Sequence, residues 1–204
     1  GCWATVGLHP HDAAGWTPEL SAELRALADN PRVVAVGETG LDYYRNECDP
    51  KLQEAAFRGQ IDMAADAGLP VVIHNRAATD DVLAILDEYG GAVRALLHCF
   101  GDSYDVATRA RGLGCLLGIG GIVTYPKSDE LRATVSRLPD DAFVLETDCP
   151  WLTPQFRRGK RNEPAYVAAV AEKIAEGRGV DTSVLAAATS KTARAFFSLA
   201  ARSA

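Results

Sequence analysis

The pattern that most limits what this chain can fold into is a series of short runs dominated by Val, Leu, Ile and Ala, separated by stretches with helical spacing. Runs without polar alternation must be covered on both faces, which is the situation of a strand in a parallel sheet wrapped by helices. They include Val33-Val34-Ala35-Val36-Gly37, Pro70-Val71-Val72-Ile73, Ala95-Leu96-Leu97 and Phe143-Val144-Leu145-Glu146-Thr147. Each is followed by a side chain able to ligate a metal: Glu38, His74, His98 and Asp148. In an α/β barrel the carboxyl ends of separate strands surround one crevice, so residues far apart in sequence converge there. The series points to a metal-dependent hydrolase.

Read along its length, the chain predicts strands over 2–8, 33–38, 70–74, 94–98, 115–119 and 143–147. Helices are predicted over 18–28, about 50–67, 79–89, 103–112, 128–137, 163–177 and 181–200. Gly68 ahead of Pro70 is a natural helix stop. Such alternation implies parallel pairing with right-handed crossovers. The expected fold is α/β, a TIM (β/α)8-type barrel with about six of its eight strand–helix units in this chain. Residues 1–204 then form a single metal-dependent hydrolase domain. A strand follows almost at once after Gly1, so two units preceding residue 1 are expected to be missing. An open doubly wound sheet would want a glycine-rich phosphate turn after its first strand, and Gly7-Leu8-His9-Pro10-His11 is not one.

Composition narrows the function by exclusion. A net charge of −6 argues against generic nucleic-acid affinity, which lysines and arginines drive by releasing counterions. A local basic patch remains possible, and Arg157, Arg158, Lys160 and Arg161 form one, with a solvated loop as the alternative. No apolar stretch approaches a membrane span and no signal peptide opens the chain, so a cytoplasmic protein is expected. The five cysteines contain no Cys-x-x-Cys pair and read as reduced. Cys99 and Cys149 follow His98 and Asp148 directly; as strand neighbours they would face the other way, and they read as small core residues.

Each candidate has a plainer reading. Glu38 is otherwise a turn or capping acid, and His74 and His98 are otherwise satisfied core histidines. Asp148 is otherwise the opening of the Pro150 turn. Two histidines and two acids at equivalent strand ends favour ligation over these. Glu146 shares a face with Asp148 but is placed inside the strand. None of the four histidines, His9 and His11 included, falls in a helical pattern. Trp151, Tyr125 and Tyr43 can stack on bases or pack in the core.

Gly7-Leu8-His9-Pro10-His11, Gly37-Glu38-Thr39-Gly40-Leu41-Asp42-Tyr43, Ile73-His74-Asn75-Arg76, His98-Cys99-Phe100-Gly101 and Leu145-Glu146-Thr147-Asp148-Cys149-Pro150-Trp151-Leu152 occur in this order, followed by Arg158-Gly159-Lys160-Arg161-Asn162-Glu163-Pro164. Together they resemble the successive signatures of the TatD-type metal-dependent deoxyribonucleases, over essentially the whole chain. The resemblance implies a barrel of the amidohydrolase superfamily that hydrolyses phosphodiester bonds of DNA, typically from the 3′ end. It implies one or two divalent ions, from among Zn, Mn, Mg and Fe; two imidazoles make a poor magnesium site. By that resemblance Glu38 bridges two metals, His74 and His98 ligate one, and Asp148 ligates the other and helps activate water. His9 and Arg76 are then available to phosphate or to the leaving oxygen.

Two departures qualify it. The family's opening His-x-His strand is absent, because His9-Pro10-His11 matches a separate, later signature. One metal position is then complete and the other keeps only Glu38 and Asp148. Thr192 stands where the family tends to have asparagine, a difference expected to touch helix packing alone. Two other functions fit the residues: a catalytically impaired remnant acting as a binding protein, or cleavage of a small amide or ester. DNA is the expected partner, with no membrane, and a monomer is the default.

Overall fold

Thr17-Pro18 and Asp49-Pro50 each place a capping oxygen directly before a proline that needs no amide partner, and a helix starts at both. The Leu20 N–H donates to Thr17 Oγ1 at 3.2 Å and the Lys51 N–H to Asp49 Oδ1 at 2.8 Å. These caps open α1 (Pro18–Ala28) and α2 (Pro50–Ala67), and α2 stops at Gly68, whose φ of 65° is left-handed. Both helices match their sequence reading residue for residue. The computed structural model describes residues 2–45 and 47–199, which fall into two compact units.

The first unit comprises the described residues within Gly1–His98, Leu113–Cys115 and Arg194–Ala204. It holds β1 (Ala4–Val6), β2 (Val33–Asp42), β3 (Val71–Arg76) and β4 (Ala95–Leu97), with α1, α2 and α3 (Thr79–Glu88) between them. Each strand pairs in parallel with the next. β2 is buried at every position but Glu38, and Phe57, Ile61, Met63, Ile73 and Leu97 fill the space beside the strands. Full burial of side chains this large stabilises by about 1.5–3 kcal/mol each.

The second unit comprises Cys99–Gly112 and Leu116–Ala193. Its strands β5 (Leu116–Ile119) and β6 (Phe143–Leu145) are parallel, and α4 (Tyr104–Gly112), α5 (Asp129–Arg137), α6 (Val167–Arg178) and most of α7 (Thr182–Phe196) accompany them. Short 3-10 turns at Gly121–Thr124 and Gln155–Arg157 have no counterpart in the sequence reading, and the start of the helix predicted over 163–177 is a 3-10 turn, Pro164–Tyr166. Among the described residues no helix is long and apolar enough to cross a membrane. The last position of the helix predicted over 181–200 lies outside the described residues.

The element order is the expected one; several edges differ. β1 and β6 are shorter than predicted, so Glu146 stands beyond its strand rather than inside it. His11 lies in a 3-10 turn, Pro10–Gly15, that the histidine count had not placed in a helix. Cys149 is exposed and Cys99 half-buried, because both sit past their strands, where alternation no longer decides facing. The largest difference is β2, which runs on to Asp42 instead of ending at Glu38. Val36 pairs with Val71 and Thr39 with Ile73, so β2 carries one extra residue, a bulge at Gly37-Glu38.

Glycines make that continuation possible. A Cβ at Gly37 would lie 2.7 Å from the Val72 carbonyl oxygen, and one at Gly40 would run into the His74 carbonyl oxygen. Gly40 (φ 129°) therefore allows β2 and β3 to approach, whereas Gly68 has open space around it. We expect Gly40→Ala to cost about 3 kcal/mol, at the upper end of overpacking losses. Gly68→Ala should cost about 1–2 kcal/mol, the ordinary left-handed penalty. Urea unfolding of both variants checks this; equal losses would refute the steric account.

Candidate metal centre

The bulge turns Glu38 to the side of β2 that faces His74. Residues 38, 40 and 42 alternate onto that side, and Gly40 is the register partner of His74. With no side chain at Gly40, the His74 imidazole lies between the carboxylates before and after it. His74 Nδ1 is 2.8 Å from Glu38 Oε1, and Nε2 is 2.9 Å from Asp42 Oδ2. Glu38 Oε1 is also 4.0 Å from both His9 Nε2 and His98 Nε2. One carboxylate oxygen thus has three imidazoles around it.

Asp42 is the buried half of this arrangement, with its side chain wholly closed to solvent. Oδ2 also meets His11 Nε2 at 2.9 Å, while Oδ1 accepts the N–H groups of Tyr44 and Arg45. Its backbone is held as tightly: Gln53 Oε1 accepts the Asp42 N–H at 2.8 Å, and Gln53 Nε2 donates to the carbonyls of Asp42 and Cys48. Gln60, two turns further along α2, clamps the other wall. Its Oε1 accepts the Leu8 N–H, and Nε2 donates to Leu8 O, Ala56 O and Thr39 Oγ1. That fixes the chain just before His9. The His11 N–H donates to His9 Nδ1 at 3.2 Å, so a neutral His9 carries its proton on Nε2.

The charges follow from these contacts. Burial pushes Glu38 up, but His74, His98 and His9 outweigh it and hold the carboxyl below its ordinary value. Burial likewise opposes ionisation of Asp42, and the Arg45 N–H, His11 and His74 hold it far below the usual range. Burial lowers His74, yet Glu38 and Asp42 overcome it and raise the pKa. Burial and the neighbouring His74 lower His9. Both carboxylates are therefore anionic near neutrality, and compared with a free imidazole the surroundings favour the charged form of His74 and the neutral form of His9.

Among the expected residues, Glu38, His74, His98 and His9 come together in the first unit. Arg76 ends β3, exposed, its guanidinium 4.0 Å over the Tyr44 ring. Asp148 belongs to the second unit, past β6, with φ 56° and its carbonyl accepting the Trp151 N–H at 2.8 Å. Near it, Glu146 Oε1 accepts the Cys99 N–H at 2.8 Å. Asp42, His11, Gln53 and Gln60 were missed. Glu-x-Gly-x-Asp is a period-two signal for Asp42, legible only if the strand is carried past Gly40. His9, His11 and His74 each offer a ligand atom within 4.8 Å of the others. Imidazoles and carboxylates gathered this closely suit zinc, manganese or iron.

Asp42, depressed on folding, stabilises above the ordinary aspartate value and loses this as pH falls toward the depressed one. His74, raised on folding, stabilises below the ordinary histidine value and loses this as pH rises through the raised one. The two windows overlap between about pH 4 and 6.5. For chelator-treated protein we expect Asp42→Asn to cost about 1–3 kcal/mol there and less on either side. Denaturation across pH checks it, and a difference independent of pH would refute the coupling.

The family model for TatD related DNase matches residues 1–198. The uncharacterized metal-dependent hydrolase YabD of Bacillus subtilis is 42% identical over 196 residues, 96% of this chain and 77% of that protein. The 3′-5′ ssDNA/RNA exonuclease TatD of Erwinia tasmaniensis is 40% identical over 204 residues, covering 97% and 79% of the two chains. Among solved structures, the TatD homolog YJJV of Escherichia coli superposes with a TM-score of 0.90 at 28% identity, covering 96% of this chain and 76% of that one. The α/β fold of TIM-barrel type, with six strands among the described residues, is the one expected from the sequence. This chain belongs to the TatD related DNase family and is a metal-dependent hydrolase acting on ester bonds.

Proposed function

We propose that the chain is a deoxyribonuclease that removes nucleotides from the 3′ end of DNA, with Glu38, His74, His98 and Asp148 as ligands for one or two divalent cations. The observation that carries this reading is the Glu38 oxygen with His74, His98 and His9 around it. The name of the Erwinia relative, an exonuclease on single-stranded DNA and RNA, supports the substrate class. A bound divalent cation supplies Lewis acidity toward a phosphoryl oxygen and makes nearby water more acidic.

The chain's own groups do the rest. Glu38 stays anionic and ready to ligate, since its pKa is depressed. Asp42 fixes the His74 ring through Nε2, as a carboxylate behind a ligating histidine does. His9, neutral, offers Nε2–H to a phosphate oxygen, and Arg76 adds a fixed positive charge for the phosphate. Asp148 accepts a proton from the attacking water. Such an enzyme works on cellular DNA in the cytoplasm, as a monomer.

One observation favours a different ligand set, His9, His11 and His74, whose ring nitrogens converge. His98 and His11 separate the two readings. Titrating divalent zinc or manganese by calorimetry, we expect His98→Ala and Glu38→Gln to weaken binding about 100-fold and His11→Ala about tenfold or less, as a supporting contact would. The reverse order would establish the three-histidine site. A 3′-labelled single strand should be shortened only when metal is present. Metal-independent shortening, or turnover of small amides with none of DNA, would reject the nuclease reading.

A further inference from the structure

The segment after Asp148 concentrates what the rest of the chain lacks. From Trp151 to Arg161 it holds Arg157, Arg158, Lys160 and Arg161 and no acid, in a chain of net charge −6. All four cations are exposed. So are two large aromatics, Trp151 at 71% and Phe156 at 61%. Large apolar rings left in water beside a block of one charge sign together offer both elements of an interaction surface, apolar area and charge.

The segment is also built to hold its shape. Asn162, 1% exposed, donates through Nδ2 to the carbonyls of Thr147 and Trp151. The Thr153 hydroxyl donates to the Lys160 carbonyl, and Tyr125 Oη donates to the Thr153 carbonyl at 3.0 Å. The Gln155 N–H donates to Thr124 Oγ1 at 2.8 Å. The Arg158 guanidinium lies 3.8 Å over the Tyr125 ring, and Phe156 meets Tyr166 edge to face at 5.1 Å. A loop tied down in this way loses little further freedom when it binds.

We propose that Trp151–Arg161 is a docking surface for single-stranded DNA, with Trp151 and Phe156 stacking on bases and Arg157, Lys160 and Arg161 meeting phosphates. Unstacked bases present flat faces beside a line of negative charge, which is the combination the loop complements. A duplex hides its base faces, and an acidic peptide has charge without them. The inference rests on the nuclease reading and names the surface that holds its substrate. The physical tie is the Trp151 N–H donating to the Asp148 carbonyl.

Binding is measured by fluorescence anisotropy on the full chain in chelator, so that nothing is hydrolysed. The probes are an oligothymidylate of about 12 nucleotides, within the usual site size of single-strand surfaces, an abasic strand of equal length, the duplex and polyglutamate. We expect Trp151→Ala and Phe156→Ala each to weaken the thymidylate about 5- to 150-fold, the span of single stacking contacts, and to leave abasic binding as it was. Replacing Arg157, Lys160 and Arg161 together by Gln should weaken both strands and make the log–log salt slope shallower by about 2. Variants that bind thymidylate like the parent, or polyglutamate or duplex bound as tightly as thymidylate, would overturn the proposal. With metal restored, a parent chain that binds thymidylate through Trp151 without cleaving it keeps the surface and rejects the nuclease. Cleavage indifferent to Trp151 and the three cations does the opposite.

Discussion

The His74 imidazole held between Glu38 and Asp42 is the contact on which the candidate centre depends. A carboxylate as deeply buried as Asp42 destabilises a fold unless its lone pairs are occupied. Here they are, by two imidazoles and two backbone N–H groups. That arrangement requires the carboxylates at 38 and 42 to face His74 with nothing between, hence Gly40. It also requires the β2 backbone at Asp42 and the chain at Leu8 to stay in place. Gln53 and Gln60 provide this from one face of α2, converting a helix that would otherwise only cover the sheet into a support for the site.

How much of this was legible in the sequence depended on how local the cause is. The limits of α1 and α2 follow from Thr17-Pro18, Asp49-Pro50 and Gly68, each acting within a turn of where it stands. The continuation of β2 does not. Glycine within a strand ordinarily weakens it, so Gly37 and Gly40 read as the end of the run. Their actual cause is the backbone of β3, more than thirty residues away in sequence. Once β2 was cut at Glu38, Asp42 fell in a loop and its alternation with Glu38 was invisible. Gln53 and Gln60 were hidden for the opposite reason: polar residues in an amphipathic helix look solvent-facing, and only the structure shows that the backbone they satisfy lies inside.

The cluster also divides protonation among like residues. Two carboxylates raise the pKa of His74, while burial and the neighbouring His74 lower that of His9. The titrations are coupled and belong to the cluster as a whole. A divalent cation entering the cluster competes with the proton on His74, since a ligating imidazole must be neutral. The same carboxylates that favour the proton would favour the cation, so the site is a generic well for positive charge.

For that reason the centre alone does not choose a substrate. Imidazoles and carboxylates around an ion serve the hydrolysis of many ester and amide bonds, and a fold supports whichever one its surfaces present to it. Discrimination must come from elsewhere on the chain. A net charge of −6 opposes generic attraction of a polyanion. Four cations gathered in an acid-free loop form a local basic surface, and on the docking surface proposed above the two exposed rings would add a requirement for unpaired bases. Spread evenly, the same cations would give weak binding everywhere and orient nothing. Concentrated beside Asp148 in the sequence, they would give the hydrolase, on the docking surface proposed above, a means of preferring a single strand over the other phosphates it meets.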